Sequence, residues 1–249
     1  MRVLAAATGV LIVCSALVSA AALVVPPPGV PPSEVLDRYL NGLAEQETKT
    51  RDMTMDVEID AKLPKLKKSG VLRALRRVTR LGEIAYSYPR YMGDKMIYKD
   101  VIARYLAAET QAANTHRQGK QDGKSMSITP DNYKFKYKGM GDSDGRWVYI
   151  FEVIPKKKRL GLYRGELWVD AATFLPVRES GRFVKNPSIF LRKIEFVRDY
   201  TIWGQVSIPT KVVSQIYTRI VGPAELYIQF SNISFANEKA QALACPGGW

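Results

Sequence analysis

The chain holds almost no histidine and almost no cysteine: one of the first, His116, and two of the second, Cys14 and Cys245, in 249 residues. Structural zinc needs several thiolates or imidazoles converging on one ion, so a Cys/His metal centre is excluded by count. Neither a His-Glu-x-x-His helix nor a P-loop is present. His116 stands in a polar stretch with no cysteine or second histidine beside it, and reads as a solvated surface group rather than a general base. Chemistry resting on those residues is absent, no cofactor is implied, and the expectation is a protein that binds rather than catalyses.

Charge is missing from the N-terminal stretch. After Met1 and Arg2 no charged residue occurs from Val3 to Val25, and the prolines Pro26, Pro27 and Pro28 follow. A positive start, an apolar run and small residues at Ala20 and Ala22 make an export signal over residues 1–22. The run is also long enough to cross a bilayer, so an uncleaved anchor is the competing reading, set against the abundance of alanine. Cleavage removes Cys14 and leaves Cys245 alone, which rules out an internal disulfide in the mature chain. Residues 23–32 read as a proline-rich linker, 33–237 as one domain and 238–249 as a tail.

Acidic groups are the scarcer sign. The formal net charge is +13 and the isoelectric point about 9.7. In an exported protein this favours anionic lipid or an acidic envelope partner over nucleic acid, with a plain solvated basic surface as the alternative.

Periodicity supplies the fold. Ser33 is a candidate N-cap, and Val35, Leu36, Tyr39, Leu40 and Leu43 form one stripe, an amphipathic helix that covers a sheet. From Met53 the period becomes two: Met53, Met55, Val57, Ile59 and Ala61 alternate with polar residues, which predicts a strand of an antiparallel sheet with one face wet. Residues 62–80 carry eight cations and no acid. Val71, Leu72, Leu75 and Val78 fall at helical spacing there, giving either a basic amphipathic helix that rests Arg73, Arg76, Arg77 and Arg80 on anionic headgroups, or a solvated loop. A second helix capped by Asp100 runs toward Ala113, and 114–127 read as a loop.

The second half is a run of strands with no useful helix between them. Tyr133, Phe135 and Tyr137 alternate with lysines. Gly141-Asp142-Ser143-Asp144-Gly145 begins like a calcium loop but lacks the final Glu and reads as a hairpin turn. Further strands fit 147–153, 162–169, 175–184, 191–202, 206–220 and 224–235. The fold class is therefore α+β and β-rich: one curved antiparallel sheet, an incomplete barrel, with helices over its concave face.

The order of capped helix, alternating strand, mid-chain helical insertion and strand meander resembles the outer-membrane lipoprotein-sorting, or LolA-like, family. The sharpest local likeness is Gly165-Glu166-Leu167-Trp168-Val169-Asp170-Ala171-Ala172-Thr173-Phe174-Leu175-Pro176-Val177-Arg178, a strand, an aspartate-threonine turn and a leucine-proline restart. Asp170 can bond the turn backbone, and Pro176 can open a strand where no ladder donor is needed. The resemblance spans about 33–235 and implies a periplasmic carrier of lipid or acylated lipoprotein in an apolar cavity. Met53, Met55, Val57, Ile59, Tyr149, Phe151 and Leu167 are the candidate ligand-binding residues, converging beneath the helices, with ordinary core packing as the competing role. Inner- or outer-membrane proteins are further candidate partners. An envelope stress sensor or regulatory protein on the same scaffold is the alternative function.

Overall fold

A computed structural model describes residues 29–121, 126–186, 191–219 and 221–235. The expected export signal, both cysteines and the C-terminal tail lie outside the described residues. Helix α1 (Pro32–Lys49) starts one residue before the expected cap, with Pro31 at the N-cap position and no side-chain cap bond. A proline in the first turn has no N–H to leave unpaired, so the helix starts without the serine cap. Val35 and Tyr39 of its apolar stripe are buried.

Ten strands follow in one antiparallel sheet: β1 (Met53–Leu63), β2 (Lys68–Val78), β3 (Ile84–Gly93), β4 (Tyr133–Ser143), β5 (Arg146–Pro155), β6 (Tyr163–Asp170), β7 (Pro176–Phe183), β8 (Leu191–Trp203), β9 (Val206–Thr218) and β10 (Pro223–Phe235). Their order is β3-β2-β1-β10-β9-β8-β7-β6-β5-β4. Chain order is thus kept around a ring, with β1 paired to β10 and a single break between β3 and β4. The segment joining those two strands is helical: α2 (Lys95–Ile97), a π turn (Tyr98–Ile102) and α3 (Ala103–Gln121). It crosses the break from one edge of the open barrel to the other.

Both edges carry features that discourage further pairing. In β3, Pro89 removes a ladder donor and Tyr88 has a positive φ of 53°, while a bulge opposite Arg73/Leu75 disrupts the register. In β4, Lys134, Lys136 and Lys138 are exposed and a second bulge falls between Tyr137 and Gly139. Charge, proline and bulges are the usual means of blunting a sheet edge.

Three expectations are corrected. Residues 68–78 form a strand, not a basic helix or loop, paired with β1 and β3. The second helical segment is capped by Asp94, whose carboxylate accepts from the Met96 N–H at 2.8 Å, while Asp100 sits in the π turn. Residues 114–121 continue α3 rather than forming a loop, so His116 lies on a helix. Two turns form as the sequence predicts. Asp144 and Gly145, at φ 53° and 80°, link β4 to β5. The Asp170 carboxylate accepts from the Thr173 N–H and hydroxyl, each at 2.8 Å, ahead of β7 at Pro176.

Candidate functional site

The core face of the sheet is best followed across the strands. One register row joins Tyr137, Phe151, Leu167, Glu179, Arg198, Val212, Ile228, Ile59, Leu72 and Tyr91, one residue from each strand. Eight of the ten are apolar or aromatic, and the charged pair Glu179 and Arg198 falls in the middle. On either side lies a separate apolar cluster. One gathers Met53, Met55, Val57 and Ile59 of β1 with β2, β9 and β10 beneath Ile97, Ile102, Tyr105 and Leu106 of the helical segment. The other gathers Tyr149, Phe151 and Leu167 with Phe196 beneath Val35 and Tyr39 of α1.

The seven candidate ligand-binding residues are therefore brought to one face but not to one place: four lie in the first cluster and three in the second. Between them the inward strand positions turn polar. All seven are packed, none more than 3% exposed, so a ligand reaching them must displace a helix.

Of the four candidate membrane cations, the three on β2 divide as the strand period dictates, and Arg80 lies past the strand's end. Arg76 points inward and is 8% exposed. Its Nε and Nη2 donate to the Glu109 carboxylate of α3 at 3.2 and 2.9 Å. Its Nη1 reaches the Met55 sulfur at 3.8 Å, and the guanidinium lies 5.7 Å from the Phe230 ring centroid. The Tyr86 hydroxyl also donates to Glu109. Burial is the largest single influence and lowers the Arg76 pKa, but the Glu109 carboxylate and the groups around it together reverse it, so the net shift is upward. Arg73 pairs outward with Glu58 at 2.6 Å, while Arg77 and Arg80 share Asp52 at 3.2 and 2.5 Å. The Arg80 hydrogen bond in particular holds the Asp52 carboxyl below the usual carboxylate range.

The second polar group was not anticipated from the sequence. Tyr200 donates to Glu179 Oε1 at 2.7 Å, and Arg198 Nη1 donates to the Tyr200 oxygen at 3.3 Å and stands 3.5 Å from Glu179 Oε2. Glu179 is 8% exposed. The available signal was parity: Arg198 and Tyr200 occupy the same alternate positions of β8 as Phe196, and Glu179 the same as Val177.

Aromatic hydroxyls collect around this group. Burial, and then the Glu179 charge, push Tyr39 and Tyr163 well up; burial pushes Tyr133 up to about 12. The neutral phenol is the form the fold favours. Stability is intact below the ordinary tyrosine pKa near 10 and is lost as pH rises through the folded-state value. Full deprotonation of Tyr133 alone removes about 3 kcal/mol. Thermal melts from pH 8 to 12 are expected to show a steep loss of Tm above pH 10, with a tyrosinate absorbance step at 295 nm displaced to the unfolding transition. A normal titration near pH 10 in a protein that stays folded would contradict this.

On the opposite face, Lys138, Glu152, Arg164, Glu166 and Arg182 line an open depression of about 460 Å³. Gly141 to Gly145 also fits the spacing of a Gly-x-Ser-x-Gly nucleophile elbow. Such an elbow joins a strand to a helix. Here Ser143 ends β4 and the chain turns directly into β5, a hairpin. Among the described residues no group of three acids, histidines or cysteines is placed to hold a metal ion, and no helix is long and apolar enough to cross a membrane.

Fold and core face define an open ten-stranded antiparallel barrel roofed by helices. No family model matches the chain, and no curated protein does. Among solved structures it is similar to a LolA superfamily protein from Nitrosomonas europaea, with 12% identity over 83% of this chain and 94% of that one and a TM-score of 0.44. It is similar to a DUF1329 family protein from Desulfovibrio piger, with 14% identity over 84% and 94% and a TM-score of 0.40. A domain from Vibrio parahaemolyticus described as an outer membrane lipoprotein-sorting protein shares 14% identity over 85% and 98%, with a TM-score of 0.39.

Proposed function

We propose that this is an exported, periplasmic, non-catalytic carrier that takes lipid or acylated cargo between its helices and the core face of its sheet. The domain would span 33–237 behind a cleaved signal at 1–22 and a linker at 23–32. The observation that carries the reading is the roof over the first cluster. The sheet is unpaired between β3 and β4, and the segment spanning that break covers Met53, Met55, Val57 and Ile59 with no ladder bond to hold it among the described residues. Beyond the Asp94 N–H bond to the Ser69 carbonyl and the Lys68 to Asp94 ion pair at its start, its attachments are side-chain contacts and the Arg76 to Glu109 ion pair. A π turn at Tyr98–Ile102 interrupts the helix, and such turns are local irregularities at which a helix can bend. Lifting α3 would expose a broad apolar face to an acyl chain, whose burial contributes about 0.8 kcal/mol per methylene.

The test is mass spectrometry of protein purified without detergent, together with Val57→Glu. Co-purifying acyl lipid is expected in the parent. The variant is expected to lose it while keeping the parent's circular dichroism, because a site that opens to a ligand can hydrate the new carboxylate. A folded variant that retains lipid would remove β1 from the site. A parent that carries no acyl lipid, and takes none from added vesicles, would end the carrier reading.

A further inference from the structure

The polar break in the middle of the core face has no evident structural need. A row of apolar side chains across β7 and β8 would join the two clusters into one core, and replacing buried ionic groups by hydrocarbon is often neutral or stabilising. Two features of this break are unfinished. Arg198 uses only Nη1 for its contacts with Tyr200 and Glu179. Its Nε and Nη2 have no partner among the described residues and are not among the sealed polar atoms, and 39% of the side chain is accessible. Beside it, Tyr163 is 4% exposed and its hydroxyl is buried without a hydrogen-bond partner. Both pack on Phe196: the Tyr163 ring edge-on with centroids 4.9 Å apart, and the Arg198 guanidinium 5.8 Å from the Phe196 ring centroid. The Glu179 charge is also felt at Tyr163.

A guanidinium whose Nε/Nη2 edge is unbonded presents two parallel donors, the fork that suits a pair of acceptor oxygens. A buried hydroxyl left unpaired is costly, and native structures seldom leave one so without a ligand or water. Charge decides which acceptors fit. Arg198 and Glu179 together carry no net charge, so an anionic head would leave an uncompensated negative charge inside, whereas ester or amide oxygens would not.

We propose that the free edge of Arg198, with the Tyr163 hydroxyl, is the head-group subsite of the interior, receiving the ester or amide oxygens of an uncharged acyl head while the chain lies along the neighbouring apolar face. The assignment rests on the carrier reading and specifies its ligand: a neutral acyl ester or amide rather than a free fatty acid. Arg198 contributes donors, and the apolar clusters contribute the chain site.

Calorimetric titration of the mature chain with 1-lauroylglycerol and with laurate, both below their micellar concentrations at pH 8, tests it. The parent is expected to bind the glycerol ester more tightly. Arg198→Met should weaken that binding roughly tenfold or more, the loss of a charged hydrogen bond, and should bring the two ligands to similar affinity. Arg198→Lys keeps the charge beside Glu179, guards against a folding defect, and should also lose affinity because the fork is gone. Unchanged ester affinity in a folded Arg198→Met or Arg198→Lys, or a parent that prefers laurate, would overturn the head-group assignment and leave the carrier reading standing. No binding of either ligand by the parent would overturn both.

Discussion

Glu109→Ala is expected to cost about 3–5 kcal/mol of unfolding free energy, because it strands a buried charge. Arg76 stands on β2 with its guanidinium under α3 and its principal partner on that helix. With the carboxylate gone, Arg76 keeps only a thioether contact and a ring face, neither of which matches a charge-assisted hydrogen bond. The Tyr86 hydroxyl loses its acceptor in the same step. The double variant Arg76→Met/Glu109→Leu removes both charges and should regain most of the loss. Urea denaturation of parent, single and double variants measures this. A single variant within about 1 kcal/mol of the parent would mean that solvent already screens the pair.

Gly165→Ala should rival it. Gly165 on β6 faces Gly181 on β7, and a Cβ at Gly165 would lie 1.8 Å from the Ser180 carbonyl oxygen and 2.5 Å from the Gly181 Cα. Both obstacles are backbone, so no side chain can swing aside, and the strands must separate at the heart of the meander. A loss of about 3 kcal/mol is expected from forced overpacking. Gly29→Ala, with nothing within 4 Å of its Cβ position, is the control. Equal urea midpoints for the two variants would show that β6 and β7 part easily.

The sequence disclosed those elements whose inward residues are large and apolar. β1 was legible because Met53, Met55, Val57 and Ile59 alternate with polar neighbours, and the meander from β4 onward because its turns carry glycine and aspartate. β2 obeys the same period but conceals it: its inward residues Gly70, Leu72, Ala74 and Arg76 include two small ones and one charged, while the large Val71 and Leu75 are on the other parity. The eye then finds a helical spacing that the backbone does not follow. β3 has one exposed flank, an internal proline and a bulge that breaks its alternation, so no period marks it. The seven candidate site residues lie on the core face. Their division into two clusters could not be read, because cross-strand register joins residues far apart in sequence and no local pattern encodes it. Glu179 and Arg198 stood on core parity, and that was their only mark.

The blunted edges limit how another chain could be recognised. An open barrel has two outer strands with hydrogen-bonding groups to spare, and the common way to capture an extended peptide is to add it there as one more strand. Pro89 and the bulge in β3, and the lysines and bulge in β4, make both borders poor templates for that addition. A protein client, if the chain serves one, must then be read by side chains across a face, as a hand reads a surface, and not by backbone at a seam. The same borders keep two copies of the barrel from zipping edge to edge, which lets a sheet that never closes its ring persist without growing.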